Sequence, residues 1–201
     1  MKKLALLTFL LGLTVLSARA QDNAVFEFRI GHEKAIHRVV IALDSGDAPA
    51  TVANFEKLLH HKFYTGLKVH RIIPNTLVQM GDPLSRRRDI SQVGTGGPGY
   101  TLAPEIHLRH TVGAVAMSRL PDNINPGRRS SGSQFYVCLK PMPDLDGKYT
   151  VFGHVTKGLD DLVTLSNQAA DTNDYPVTPI HIAAAYRQSD GPPFTLKLWP
   201  W

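Results

Sequence analysis

Residues 69–83 read VHRIIPNTLVQMGDP, and the second half of that stretch alternates. After the break at Pro74-Asn75, Leu77 and Gln79 are two apart and share one face of an extended strand, with Thr76, Val78 and Met80 on the other. Gly81-Asp82-Pro83 closes the strand, and Arg71 stands on the extended run that leads into it. Residues 130–139, SSGSQFYVCL, repeat the device: Gln134, Tyr136 and Cys138 have one parity, Phe135, Val137 and Leu139 the other. Two strands therefore each set an amide side chain beside an apolar one.

Outward from these stretches the chain continues as short strands. Phe26, Phe28 and Ile30 alternate against Val25, Glu27 and Arg29 as a half-buried strand does; a turn at 31–34 follows, and 35–43 returns antiparallel. Residues 45–61 start a helix with Pro49 in its first turn and Val52, Phe55, Leu58 and Leu59 on one side. Further strands are expected at 69–73, 77–80, 112–117, 134–139, 150–154 and 180–184. A second helix is expected from 159 to about 167, with Leu159, Leu162 and Val163 inward. Seven or eight short strands with only two helices argue an all-β barrel or sandwich in which the helices are plugs rather than crossovers. Periodicity does not choose between the two.

The 201 residues, 43% hydrophobic and 19% charged, fit one domain with a core large enough to stand alone. The start, MKKLALLTFLLGLTVLSARA, places two lysines before an apolar run and ends in Ala18-Arg19-Ala20, the order of a secretory signal cleaved after residue 20. The apolar run is too short to span a bilayer, so no stable membrane insertion is expected after cleavage. Losing Lys2, Lys3 and Arg19 with the leader lowers the formal charge from +5 to +2, which leaves no argument for a nucleic-acid partner. Cys138 is the single cysteine and reads as a buried small hydrophobe within an apolar strand.

Several motifs invite chemistry that their context does not support. Gly94-Thr95-Gly96-Gly97-Pro98-Gly99 satisfies G-x-G-x-x-G, but no apolar strand leads into it and Pro98 disfavours a helix after it. It reads instead as a glycine loop whose backbone can approach a partner closely. Arg86-Arg87-Arg88 and Arg128-Arg129 lack interleaved aromatic residues and read as solvated faces. Of nine histidines only His60 and His61 are adjacent, and neighbouring residues of a helix diverge, so no metal is expected. His70 reads as a hydrogen-bonded core histidine. No G-x-S-x-G surrounds Ser131 or Ser133. On pattern alone, Arg71, Gln79 and Gln134 are as readily an arginine and two glutamines covering barrel surface.

HRIIP followed by QMGD, then GTGGPGYTLAPE, SSGSQFYV and LDGKYTVFG, come in the order and spacing of the cyclophilin peptidyl-prolyl isomerases. The chain resembles that family from about residue 25 to 185, most of all its bacterial exported branch. The resemblance implies a closed eight-stranded antiparallel β-barrel with a helix over each end and a groove on its outer face. It divides the chain into a leader at 1–20, an isomerase domain at 21–187 and a tail at 188–201 that carries both tryptophans.

What the resemblance implies chemically is rotation of X-Pro bonds. That rotation breaks amide resonance against a barrier of roughly 18 to 20 kcal/mol and needs no proton transfer, covalent step or cofactor. Arg71 and Gln79 take the catalytic positions. Thr76, Leu77, Tyr136 and Leu145 take the positions that line the proline socket, with Tyr149 beside them. Gln134 takes the position of an amide that holds substrate backbone, and Ser118, Arg119 and Leu120 form the segment whose main chain lies beside the peptide. Thr76 replaces an aromatic, Asp144 a frequent tryptophan and Tyr149 a histidine, so a shallower, more polar socket and weak cyclosporin binding are expected. The partners expected are proline-containing segments of exported clients, met in the periplasm by a monomer that assists their folding. The other function class is a cyclophilin-like binding module or holdase that grips such segments without accelerating rotation; an isomerisation assay separates the two.

Overall fold

The computed structural model describes residues 23–192; the expected leader and most of the expected tail, with Trp199 and Trp201, lie outside the described residues. Ten strands and two α-helices are present among them. In chain order these are β1 (Asn23–Ile30), β2 (His37–Leu43), α1 (Pro49–His60), β3 (Arg71–Ile73), β4 (Leu77–Met80), β5 (Thr101–Leu102), β6 (Ala114–Met117), β7 (Ser130–Ser131), β8 (Phe135–Cys138), β9 (Val151–Lys157), α2 (Leu159–Ser166) and β10 (Ile180–Arg187). Eight of the strands form one antiparallel sheet in the order β10-β1-β2-β9-β6-β8-β4-β3, and β5 pairs with β7 apart from it.

The sheet curls until its edge strands face one another. β10 and β3 do not pair as strands; residues 66–69, just before β3, join the seam. Gly66 N–H donates to Ile182 O (2.8 Å), Ile182 N–H to Leu67 O (2.8 Å) and Val69 N–H to Ile180 O (2.9 Å). The expected eight-stranded antiparallel barrel with two helices is thus found, its last joint made by a short run rather than a strand.

Alternation decides what lies inside. Phe26, Ile72, Val78, Met80, Val115, Phe135, Val137 and Phe152 belong to one buried cluster with the apolar stripe of α1, Val52, Phe55, Leu58 and Leu59. The Phe55 ring meets Phe135 edge to face at 5.3 Å and Phe152 at 4.9 Å between centroids. α1 has Pro49 in its first turn and no cap from Ala48; Glu105, from a distant loop, accepts from the amides of Ala50 (3.0 Å) and Thr51 (2.8 Å) instead. In α2 the buried residues are Leu162, Leu165 and Ser166, while Leu159 and Val163 are only partly covered. The helix starts where expected and Leu162 is inside as expected, but Leu165 and Ser166 take the buried places expected of Leu159 and Val163.

Candidate active site

One row of the outer face carries the residues singled out by pattern. Arg71 lies directly opposite Gln79 across β3 and β4, Gln79 opposite Tyr136 across β4 and β8, and Tyr136 opposite Ala116 across β8 and β6. Their inward neighbours are Ile72, Val78 and Val137 of the core. Directly paired residues in an antiparallel ladder share a face. The strand period of two therefore sets an arginine, an amide and an aromatic ring side by side on the barrel wall.

Arg71 is half-exposed and is held from one side. Its Nε donates to Oδ2 of Asp174 at 3.1 Å, while neither Nη nitrogen has a partner among the described residues. Nε2 of Gln79 lies 3.3 Å from Ser118 Oγ and 3.4 Å from Gln134 Oε1. Gln134 is buried, and its Nε2 donates to Gly94 O (2.9 Å) and Gly96 O (2.8 Å). Its amide therefore braces Gln79 on one side and the glycine loop on the other.

Tyr136 is the floor of the apolar part of the row. It clusters with Ala114, Ala116, Cys138 and Val151, and Leu145, Tyr149, Met142 and Leu108 pack against them. Leu77 is buried one register step away, opposite Cys138. Burial drives the phenol of Tyr136 well above its ordinary pKa, so it is a neutral hydrogen-bonding group. Behind it stands fully buried His110: Nε2 lies 3.1 Å from the Tyr136 hydroxyl and Nδ1 2.9 Å from Asp146 Oδ1. Sequence reasoning singled out neither His110 nor Asp174. An Arg-His-Thr ahead of a strand and an Asp-Tyr-Pro turn carry no local mark of what they touch.

The remaining expected residues frame this row. The side chain of Arg119 is only 3% exposed; its guanidinium lies over the Tyr149 ring at 4.5 Å, pairs with Asp122 (2.6 Å) and donates to Lys148 O (2.7 Å). It is folded away and also donates to Leu120 O (2.8 Å). Ser118 gives its N–H to Gln134 O (2.9 Å) and its carbonyl accepts from Ser131 N–H (2.7 Å), and the side chain after Arg119, Leu120, is 57% exposed. Thr76 turns its hydroxyl back onto Pro74 O (3.1 Å). Asp144 is exposed, and its main-chain oxygen accepts from Lys148 Nζ (2.8 Å).

Four sequence expectations change here. The glycine loop does approach a partner closely, and the partner is internal: Asp82 Oδ2 accepts from the amides of Gly94 and Gly96 (3.0 Å), and Oδ1 from Leu84 (2.7 Å). His70 is buried, but neither ring nitrogen has a hydrogen bond of good geometry. Burial pulls its imidazole down to about 4, although Asp82 and Gln134 lie close enough to oppose the shift. Arg86, Arg128 and Arg129 are more than solvated charge. Arg86 donates to Phe63 O (2.6 Å), Arg128 to Gly147 O (2.9 Å) and Arg129 to Thr101 O (2.8 Å), so each pins a loop. The His60 and His61 rings, expected to diverge, meet edge to face at 5.5 Å, because His61 is already past the helix end. No helix among the described residues is long and apolar enough to cross a membrane.

The geometry agrees with what the chain is similar to. The family model "Cyclophilin type peptidyl-prolyl cis-trans isomerase/CLD" matches residues 26–187. Peptidyl-prolyl cis-trans isomerase B of Bacillus subtilis is 43% identical over 123 residues, which is 60% of this chain and 77% of that one. Peptidyl-prolyl cis-trans isomerase ppi1 of Schizosaccharomyces pombe is 35% identical over 156 residues, 76% of this chain and 94% of that one. Among solved structures, a Cryptosporidium parvum cyclophilin type peptidyl-prolyl cis-trans isomerase shares the fold at 24% identity with a TM-score of 0.70, covering 83% of this chain and 97% of that one. The same protein was also solved in the presence of the dipeptide Ala-Pro (TM-score 0.68, 24% identity, 82% and 97% covered). With a family model spanning nearly every described strand, the chain belongs to the cyclophilin-type peptidyl-prolyl cis-trans isomerases.

Proposed function

We propose that this isomerase rotates X-Pro bonds with Arg71 as the donor to the twisted state, acting as a monomer on proline-containing segments of exported proteins. The observation that carries the reading is Arg71 itself. It is tethered through Nε, has both Nη nitrogens free among the described residues, and stands directly across from Gln79 in the row that ends on Tyr136. In the planar amide the proline nitrogen shares its lone pair with the carbonyl; on twisting it regains that pair and accepts a hydrogen bond. A cationic donor placed there binds the twisted state more tightly than either planar one.

The other residues supply orientation. Tyr136, Leu77 and Leu145 offer apolar surface to the prolyl ring, with Thr76 and Tyr149 at the margins. Gln79, braced by Ser118 and Gln134, faces the amide. The segment of Ser118, Arg119 and Leu120 lies beside the peptide with the main chain of Arg119 as its pairing group, because Ser118 gives its N–H to Gln134 O and its carbonyl accepts from Ser131 N–H, while Leu120 O accepts from the Arg119 guanidinium. The Ala-Pro dipeptide in the related structure supports ligands of this class. Export rests on the leader-like residues 1–20, and the periplasm is the compartment this fits.

The test is an isomerisation assay on a proline tetrapeptide. The wild type should accelerate the reaction, and Arg71→Ala should lower turnover about 10- to 150-fold, the rate equivalent of one charge-assisted hydrogen bond. Arg71→Lys keeps the charge but loses the planar fork, so it should lose most of the rate as well. A protein that binds the peptide without accelerating its rotation is the binding module instead. Mass spectrometry should find a mature protein beginning at Gln21; an intact Met1 would exclude the export reading.

A further inference from the structure

We infer that Asp174 is a positioning residue for Arg71, an inference that rests on the isomerase reading above. Asp174 lies 103 residues from Arg71 in sequence, in the turn at 171–176 ahead of β10. That turn is braced from within. Oδ1 of Asp171 accepts from the amides of Asn173 (2.8 Å) and Tyr175 (2.9 Å), and Asp174 N–H donates to Asp171 O (3.1 Å). Asp174 itself has φ of 63°, the left-handed region that Asp and Asn tolerate better than most side chains. Its main-chain oxygen accepts from Ile72 N–H at 2.8 Å, which docks the turn on the edge strand β3. The carboxylate is thereby delivered to the next side chain along that strand, Arg71.

The contact is made at Nε. A carboxylate on Nε restricts rotation about the Cδ–Nε bond and fixes the plane of the guanidinium, while both Nη nitrogens stay available on the other side. As a stability device this pair is weak, since its side chains are 42% and 43% exposed and such pairs are screened by water. Orientation is where it acts, because a small misplacement of a catalytic donor costs far more in rate than the pair contributes to folding. The carboxylate also draws charge from the arginine, which opposes the gain, and the two effects can be separated. Asp174→Asn keeps the backbone preference and an acceptor oxygen but removes the charge. Asp174→Gly keeps φ accessible and removes the tether.

The experiment is a double-mutant cycle in the isomerisation assay, with melting temperatures recorded alongside. In the wild-type background Asp174→Gly should lower kcat/KM on the order of tenfold, the scale of returning rotamer freedom to a long side chain, and Asp174→Asn should lower it less. In the Arg71→Ala background both should be silent, with melting temperatures little changed. An unchanged kcat/KM in Asp174→Gly, or an equal loss in both backgrounds, would overturn the inference. A second readout does not depend on activity. The ¹⁵N signal of Arg71 Nε–H should be protected from exchange in the wild type and broadened in Asp174→Gly; the same exchange in both proteins would also overturn it. A wild-type protein that fails to isomerise ends the isomerase reading, while the Nε–H signal still decides whether Asp174 holds Arg71.

Discussion

The Tyr136 hydroxyl lies 3.1 Å from Nε2 of His110, and His110 in turn presents both its main-chain N–H (2.8 Å) and its Nδ1 (2.9 Å) to Asp146 Oδ1. The carboxylate accepts from Nδ1–H, which assigns Nε2 as the acceptor and makes the phenol the donor. The hydroxyl proton therefore points at His110 and not at the groove. Tyr136→Phe leaves the proline socket its ring but strands a buried acceptor, so the variant should lose about 1–3 kcal/mol of stability. Chemical denaturation measures this, and the isomerisation rate should fall far less than in Arg71→Ala. An unchanged denaturation midpoint would show that the hydrogen bond contributes nothing net.

His70 gives the fold a pH dependence whose direction can be stated. Burial lowers its folded-state pKa to about 4, against an ordinary value of 6.5. Above pH 6.5 both folded and unfolded chains hold it neutral. As pH falls through 6.5 the unfolded chain takes up the proton first, so stability drops progressively until about pH 4, where the folded chain follows. The difference is worth about 3 kcal/mol. His70→Leu should remove this part of the pH dependence and, by deleting two unpartnered nitrogens, cost little at pH 7. Denaturation midpoints for both proteins between pH 4 and 7 test it; parallel curves would contradict the buried-histidine account.

What could be read in the sequence was whatever a period of two controls. Gln79 and Tyr136 share an outer row because each is two residues from another outward side chain, and Val78, Phe135 and Val137 fall inside for the same reason. Arg71 joins that row through pairing between strands separated by one turn. Side chains whose neighbours come from distant loops were not legible. Asp174 reaches Arg71 only through a turn docked on β3, and the amide of Gln134 was expected to face substrate without any sign that Gly94 and Gly96 take up its donors. Arginines in loops look alike in sequence whether they face water or a carbonyl, as Arg86 and Arg129 do here. α2 shows a smaller limit: its extent and Leu162 were legible, but the buried side continues through Leu165 and Ser166, which depends on what the helix packs against and not on its own pattern.

Cys138 should be chemically silent in the folded protein. It is fully buried opposite Leu77, and burial, with Asp146 adding to it, pushes its thiol up to about 12. The thiolate is the reactive form, so a thiol reagent at pH 8 should label the protein only as fast as the strand β8 opens. Labelling should be complete in denaturant and should slow in proportion to stability in its absence. Rapid stoichiometric labelling of the native protein would place the thiol at the surface and contradict the register of β4 and β8.

Gly96 and Gly97 are adjacent in sequence and should differ in what they tolerate. The loop they belong to wraps the Asp82 carboxylate as a phosphate loop would wrap its ligand, with main-chain amides aimed at an anion that the chain itself supplies. A Cβ on Gly96 would stand 2.2 Å from Asp82 Oδ1 and 2.8 Å from the Leu84 side chain, and the carboxylate cannot move without breaking the hydrogen bonds by which it holds Leu84 N–H and the loop. A Cβ on Gly97 would meet nothing nearer than Ser131 Oγ at 4.0 Å, and its backbone is not in the left-handed region. Gly96→Ala should therefore cost about 1–3 kcal/mol by overpacking, while Gly97→Ala should be close to neutral. Because Gln134 donates to Gly94 and Gly96 and accepts from Gln79, the strain in Gly96→Ala should also reach the active face and lower kcat/KM, where Gly97→Ala leaves it alone. Equal stability and equal activity in the two variants would mean that Asp82 does not fill the loop.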